Sequence, residues 1–231
     1  MTRAIASKEM KVLWASPLPY VLGAVMHATL GTLAWSQVAA RGQAVFQPVV
    51  PIVGFLLVLV APVLAARVFS EEIAAGTLEL LLSAQVAPRR LVAGKFVALT
   101  ATLLAILAPS GLFALFLVLW GDPDPGPILA GYLGLALMAA ALAAVGMAAS
   151  AWTSSQPVAA IAGLFSVLVA WFAHIGDQAL PTVLTSALSL SERLRPFAGG
   201  VVDLSDVVFF ASVAAAALAV AGVGVSSRRW R

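Results

Sequence analysis

The side chains able to bind or bridge are concentrated in one stretch, from Arg67 to Lys95, reading RVFSEEIAAGTLELLLSAQVAPRRLVAGK. Glu71, Glu72 and Glu79 supply carboxylates there, and Arg67, Arg89, Arg90 and Lys95 supply cations. Leu78, Leu81 and Leu82 fall at i, i+3 and i+4, on one face of a helix. Leucines on one face with carboxylates beside them suit docking into a groove on another protein, the acids setting orientation against Arg or Lys. Catalysis has much less to work with. The sequence contains neither G-x-x-x-x-G-K-[ST] nor H-E-x-x-H, so this chain is not expected to hydrolyse ATP by itself. It contains no cysteine, which excludes disulfides and thiolate chemistry. Its two histidines, His27 and His174, are each either a metal or haem ligand or a neutral imidazole hydrogen-bonded inside a bundle. Met26 beside His27 is a weak soft-metal signal on its own. Asp203 and Asp206, three residues apart, either cap a helix or bind a cation.

The elements that position the 67–95 stretch follow from its turn chemistry. Ser70 is expected to cap a short helix with Glu71 and Glu72 in its opening turn, where the helix dipole favours negative charge. Gly76 breaks that helix. Thr77 is expected to cap a second one, with Glu79 in its first turn and its leucines facing outward, and Pro88 suits the first position of a third. The chain then enters a membrane at Phe96, leaving Lys95 at the boundary.

A membrane is implied by composition. Of 231 residues 62% are hydrophobic and 10% charged, with mean hydropathy +1.04, against about 25% charged in a soluble domain. The net charge of +3 does not point to nucleic acid, because the cations flank apolar spans and form no basic-aromatic patch. A transmembrane helix needs about 20 apolar residues. Six stretches qualify, at 19–39, 48–67, 95–120, 127–151, 157–175 and 206–226. The fourth and fifth divide at Thr153-Ser154-Ser155-Gln156-Pro157. Pro51, Pro62 and Pro109 lie inside spans and are expected to kink them. Residues 1–16, with Trp14 as an interfacial anchor, read either as an amphipathic helix lying in the membrane surface or as a disordered basic tail. No signal peptide is expected, so the first span is retained.

Orientation follows from the cations. With the N-terminus inside, one face carries Arg3, Lys8, Lys11, Arg67, Arg89, Arg90, Lys95, Arg228, Arg229 and Arg231, and the other only Arg41, Arg193 and Arg195. Both termini are therefore expected in the cytoplasm. Outside, 121–127 is a tight turn rich in Pro, Gly and Asp. Residues 176–205 are too polar to span but amphipathic, with Leu184 and Leu188 on the apolar side and Gly199-Gly200 making a bend.

The 67–95 stretch resembles the cytoplasmic loop of ABC-2 type transporter permeases, through Glu71-Glu72, Gly76-Thr77-Leu78-Glu79-Leu80-Leu81 and Gly94-Lys95. Lys8-Glu9, Ser16-Pro17, Tyr20-Val21, Gly131-Tyr132-Leu133-Gly134 and the run from Gly199 to Val208 look like the gliding-motility and nitrous-oxide-reductase-maturation branch. The resemblance implies an all-α polytopic membrane protein made of one domain over 1–231. It would have six transmembrane helices, an N-terminal interfacial helix, a cytoplasmic coupling helix within 68–94 between helices 2 and 3, and short re-entrant or interfacial helices between helices 5 and 6. It implies ATPase coupling through Glu71, Glu72, Gly76, Thr77, Leu78, Glu79, Leu81, Leu82 and Lys95, and an outer gate at Leu184, Leu188, Gly199 and Gly200. A plain exterior loop without a gating role is the alternative for that segment. The implied setting is the inner membrane, where this permease subunit of an exporter works with two ABC ATPase subunits carrying ATP and Mg²⁺. It would pair with a second copy of itself or a related permease. A non-transporting module of the same fold, driving a periplasmic maturation or secretion partner, and a haem-exporter-like permease are the alternative readings.

Overall fold

The computed structural model describes residues 2–41, 46–83, 87–121, 124–178 and 188–228, which are helices joined by short turns, with no strand among them. In chain order the helices are α1 (Thr2–Ala15), α2 (Leu18–Arg41), α3 (Val49–Ala74), α4 (Thr77–Ser83), α5 (Pro88–Leu107), α6 (Gly111–Gly121), α7 (Pro125–Ala151), α8 (Gln156–Trp171), α9 (Leu190–Ala198) and α10 (Leu204–Ser227).

Among the described residues five segments are long and apolar enough to cross a membrane: Leu18–Ser36, Val49–Ala74, Pro88–Leu119, Pro125–Ala151 and Leu204–Ser227. The stretch expected as the fifth span, 157–175, is α8, an apolar helix of 16 residues. At 1.5 Å per residue it reaches about 24 Å, short of the roughly 30 Å hydrocarbon core, and a 3₁₀ segment, Ala173–Gln178, continues it. The expected division between α7 and α8 is there: α7 ends at Ala151 and α8 starts at Gln156, with Pro157 in its first turn.

The prolines act as their positions dictate. Pro109 sits in a one-turn 3₁₀ segment, Ala108–Ser110, that interrupts the third span between α5 and α6. Pro51 falls in the first turn of α3, where a missing N–H costs no intrahelical bond, so no kink arises there. Pro62 lies inside α3 and packs by Gly163 and Gly146.

The core sits between α3 and α7. In the apolar window of α3, 72% of residues are buried, against 22% for α2 and 17% for α10. α7 packs on α3, α5, α8, α9 and α10. Small residues on α7, expected to allow close helix approach, do so: a Cβ at Gly146 would collide with Ala65 on α3, and one at Gly134 would stand 2.6 Å from Phe197 of α9. Where α7 ends, Ser150 reaches into α3. Its hydroxyl accepts from the amides of Phe69 (2.9 Å) and Ser70 (3.0 Å) and donates to the carbonyl of Ala66 (2.7 Å).

That contact corrects one expectation. Ser70 caps nothing; it is buried inside α3, its hydroxyl donating to Ala66, and α3 runs unbroken from Val49 to Ala74. Tertiary packing carries the helix through the point where local chemistry alone favoured a start. The break does occur at Gly76, whose φ of +67° suits glycine and is strained for other residues.

At the opposite end, α9 is the amphipathic helix expected within 176–205. Ser189 caps it, accepting from Glu192 N at 3.4 Å, and Leu190, Leu194 and Phe197 are buried against the bundle. Gly200, with φ +85°, turns the chain over Pro127, and Asp203 caps α10 by accepting from the Ser205 amide at 2.8 Å. Asp206 does not cap. Its carboxylate takes the Arg193 guanidinium at 2.9 Å, locking α10 to α9.

Candidate functional site

The charged stretch organises around Lys95, near the start of α5. Its ammonium is 1% exposed and its three N–H groups have three acceptors: Glu72 Oε1 at 2.9 Å, Glu9 Oε2 at 3.1 Å and the Val68 carbonyl at 2.8 Å. The Phe69 ring adds a face 5.3 Å away. One buried cation thus ties together α1, α3 and α5. A lysine so enclosed must be paired, since an unpaired buried charge is very costly.

Glu9 was not among the residues expected at the site. The signal for it lay in the sequence, in Ile5, Glu9 and Leu13 at a four-residue spacing. This face of α1 packs on α5, with Ile5 standing where a side chain on Gly94 would be, 2.7 Å from its Cβ position. The N-terminal residues therefore form a helix held by α5.

Arg67 completes the surroundings, its Nη1 donating to Ser16 Oγ at 2.6 Å and its Nε pairing with Glu71 Oε1 at 3.2 Å. These groups line an open cavity of about 320 Å³ together with Lys8, Thr77 and Leu81. Glu72 Oε2 is buried there without a hydrogen-bond partner.

On α4 the leucines do not face outward as a set. Leu78 is fully buried and Leu81 half-buried on the cavity wall, while the side chain of Leu82 lies outside the described residues. The exposed face carries Gly76, Thr77 and Glu79. The Thr77 hydroxyl donates to the Glu72 carbonyl at 3.3 Å across the Gly76 turn. α4 packs on α3 with Leu78 in the core, while Glu79 is left to solvent. Pro88 begins α5 as expected, and Lys95, two turns on, is a buried hub.

Of the outer set, Leu184 lies outside the described residues. Leu188 is exposed, and Gly199 and Gly200 end α9. The histidines have structural partners. His27 Nδ1 donates to the Gly23 carbonyl at 2.8 Å, and His174 Nδ1 hydrogen-bonds the Ser191 hydroxyl at 3.1 Å, tying the end of α8 to α9. Among the described residues no cluster of three metal-ligating side chains occurs.

The arrangement is an ion-paired joint between three helices beneath an exposed turn carrying Glu79. The family model of ABC-2 family transporter proteins matches residues 3–197, from α1 almost to the end of α9. No curated protein matches the chain. With most of its length matched and five helices long and apolar enough to span a bilayer, the chain is a multi-pass membrane protein belonging to the ABC-2 family of transporters, whose membrane components work with an ABC ATPase.

Proposed function

We propose that this chain is the permease subunit of an ATP-driven exporter and that α4 with its flanking turns is where a separate ATPase subunit pushes. The observation that carries the reading is the Lys95 joint. A force on the exposed Gly76, Thr77 and Glu79 surface has a short, stiff route through Glu72 to Lys95, and from there into α1, α3 and α5 together. Glu79, exposed and acidic, would meet Arg or Lys on the ATPase. Two ATPase subunits carrying ATP and Mg²⁺ would serve two permease copies. The sparsely buried α2 and α10 are available to face a second copy or lipid. Both termini and α4 would face the cytoplasm across the inner membrane, as the cation distribution implies. The gliding-motility and nitrous-oxide-reductase-maturation branch remains the nearest reading of Gly131 to Gly134 and of the 199–208 run.

The test reconstitutes the chain with its cognate ATPase in vesicles. Glu79→Arg with Leu81→Asp should leave the complex folded and ATP hydrolysis running while ATP-dependent export falls to background. Wild-type coupling in that variant would sink the proposal. A second reading, in which ATPase-driven motion acts on a periplasmic partner without export, is favoured by the apolar character of the spans: among the described residues their buried charged side chains are Lys95 and Asp206, each near a span end and ion-paired, and the remaining buried polar ones are hydroxyls such as Thr102, Ser110 and Ser150. In that case wild-type vesicles hydrolyse ATP without moving any solute, and hydrolysis responds to the exterior partner.

A further inference from the structure

Between the start of α5 and the last turns of α10 the bundle leaves a cleft of about 710 Å³, within the roughly 300–1,000 Å³ of ligand clefts. Its walls are apolar, with Val92 and Ala93 on one side and Leu218 and Val223 on the other. Gly222 lies on the wall with no atom within 4 Å of where a Cβ would stand, which leaves room for an occupant. Arg89 stands at the mouth and Arg90 follows it, both exposed. Among the described residues neither guanidinium has an ion pair or hydrogen bond, and no acidic side chain lines the cleft. The N-cap residue of α5, Ala87, supplies no side-chain cap, Pro88 carries no N–H and the Arg90 amide bonds the Ala87 carbonyl at 2.9 Å, so the guanidinium groups are the donors this mouth offers. Because α10 is the least buried span, the cleft opens on the least enclosed flank of the bundle, at the end shared with α4.

We propose that this cleft holds an anionic phospholipid of the leaflet on the α4 side, its phosphate headgroup on Arg89 and Arg90 and an acyl chain lying between α5 and α10. Apolar walls at the end of a span with free cations at the rim match such a lipid in both its parts, acyl chain against apolar wall and phosphate against cation. A second copy fits less well. A two-fold contact on this patch would set each copy's Arg89 and Arg90 against the other's, like charge on like.

The test is native mass spectrometry of the delipidated chain titrated with phosphatidylglycerol and with phosphatidylcholine of the same acyl chains. The wild type should prefer phosphatidylglycerol, with roughly a fivefold contribution from each arginine. Arg89→Gln with Arg90→Gln should abolish the preference. Gly222→Trp, or Ala93→Leu from the opposite wall, should reduce binding of both lipids, and having a filler on each helix keeps the test intact if one variant does not fold. Lys11→Gln removes a cation of the same membrane end outside the cleft and should change nothing. Equal binding of the two lipids by wild type, or a preference that survives loss of both arginines, overturns the proposal. So does unaltered lipid binding in the filled variants, and a dimer lost in those variants would assign the cleft to a second copy. Displacement of the lipid by an equal concentration of glycerol phosphate would reduce the site to an anion site and overturn the acyl-chain assignment.

Discussion

Lys95 and its two carboxylates form a joint in which every partner depends on the others. Replacing the lysine by methionine preserves its length but leaves Glu9 and Glu72 at the end of the bundle with only the exposed Lys8, 3.7 Å from Glu9, to offset them. Lys95→Met should therefore cost about 3–5 kcal/mol, read as a fall in the unfolding midpoint of the purified chain, whereas Lys11→Met on the exposed side of α1 should leave the midpoint within about 0.5 kcal/mol of wild type. Asp203 carries a pH signature of its own. The backbone amide of Ser205, then its hydroxyl, holds this exposed carboxyl below the ordinary carboxylate range. A lowered folded-state pKa means that the ionised cap stabilises α10 above the unfolded value, about 3.9, and that this contribution vanishes as pH falls through the still lower folded value. Asp203→Asn keeps a capping oxygen but no charge. Hydrogen exchange in the first turn of α10 should thus be faster in the variant at neutral pH, and the gap should close on acidification below about pH 4.

Among elements, the contact between the end of α7 and the middle of α3 is the one that local sequence does not announce. Ser150 occupies two amides and one carbonyl of a neighbouring helix, in the same stretch of α3 whose Val68 carbonyl bonds Lys95. Ser150→Ala removes a buried acceptor and donor together and should cost about 1–3 kcal/mol, while Ser166→Ala, on an exposed face of α8 where the hydroxyl only bonds back to Ala162, should cost little. Thermal unfolding of the two variants side by side separates these outcomes. The same contact explains why the expected helix start at Ser70 is absent. A serine hydroxyl that could cap in isolation instead donates back along its own helix, because another serine from a residue 80 positions away already holds its amide. Gly76, by contrast, breaks the helix as its composition dictates, since nothing packs where its side chain would be and its φ lies in the left-handed region.

At the scale of the whole molecule, α1, the α3–α4 turn and the start of α5 meet at one end of the bundle, and α9 with the start of α10 and α7 at the other. The native chain has no cysteine, so single cysteines report sidedness cleanly. Lys11→Cys and Glu79→Cys should react with an impermeant maleimide only from the ATP-accessible side, and Asp124→Cys and Val201→Cys only from the other. Labelling of all four from one side would remove the orientation on which ATPase docking depends. Residue content alone was enough to fix the membrane setting, the division between α7 and α8, the turn at Gly76, the cap at Asp203 and the charged stretch as the region of interest, because each rests on composition or on chemistry within a few residues. Only the folded chain decided that Leu78 turns inward, that Glu9 joins Glu72 on Lys95, and that Asp206 pairs with Arg193. Those outcomes depend on which helices become neighbours, and an ion pair spanning more than 80 residues of sequence, as between Glu9 and Lys95, leaves no periodic trace of its partner in either segment.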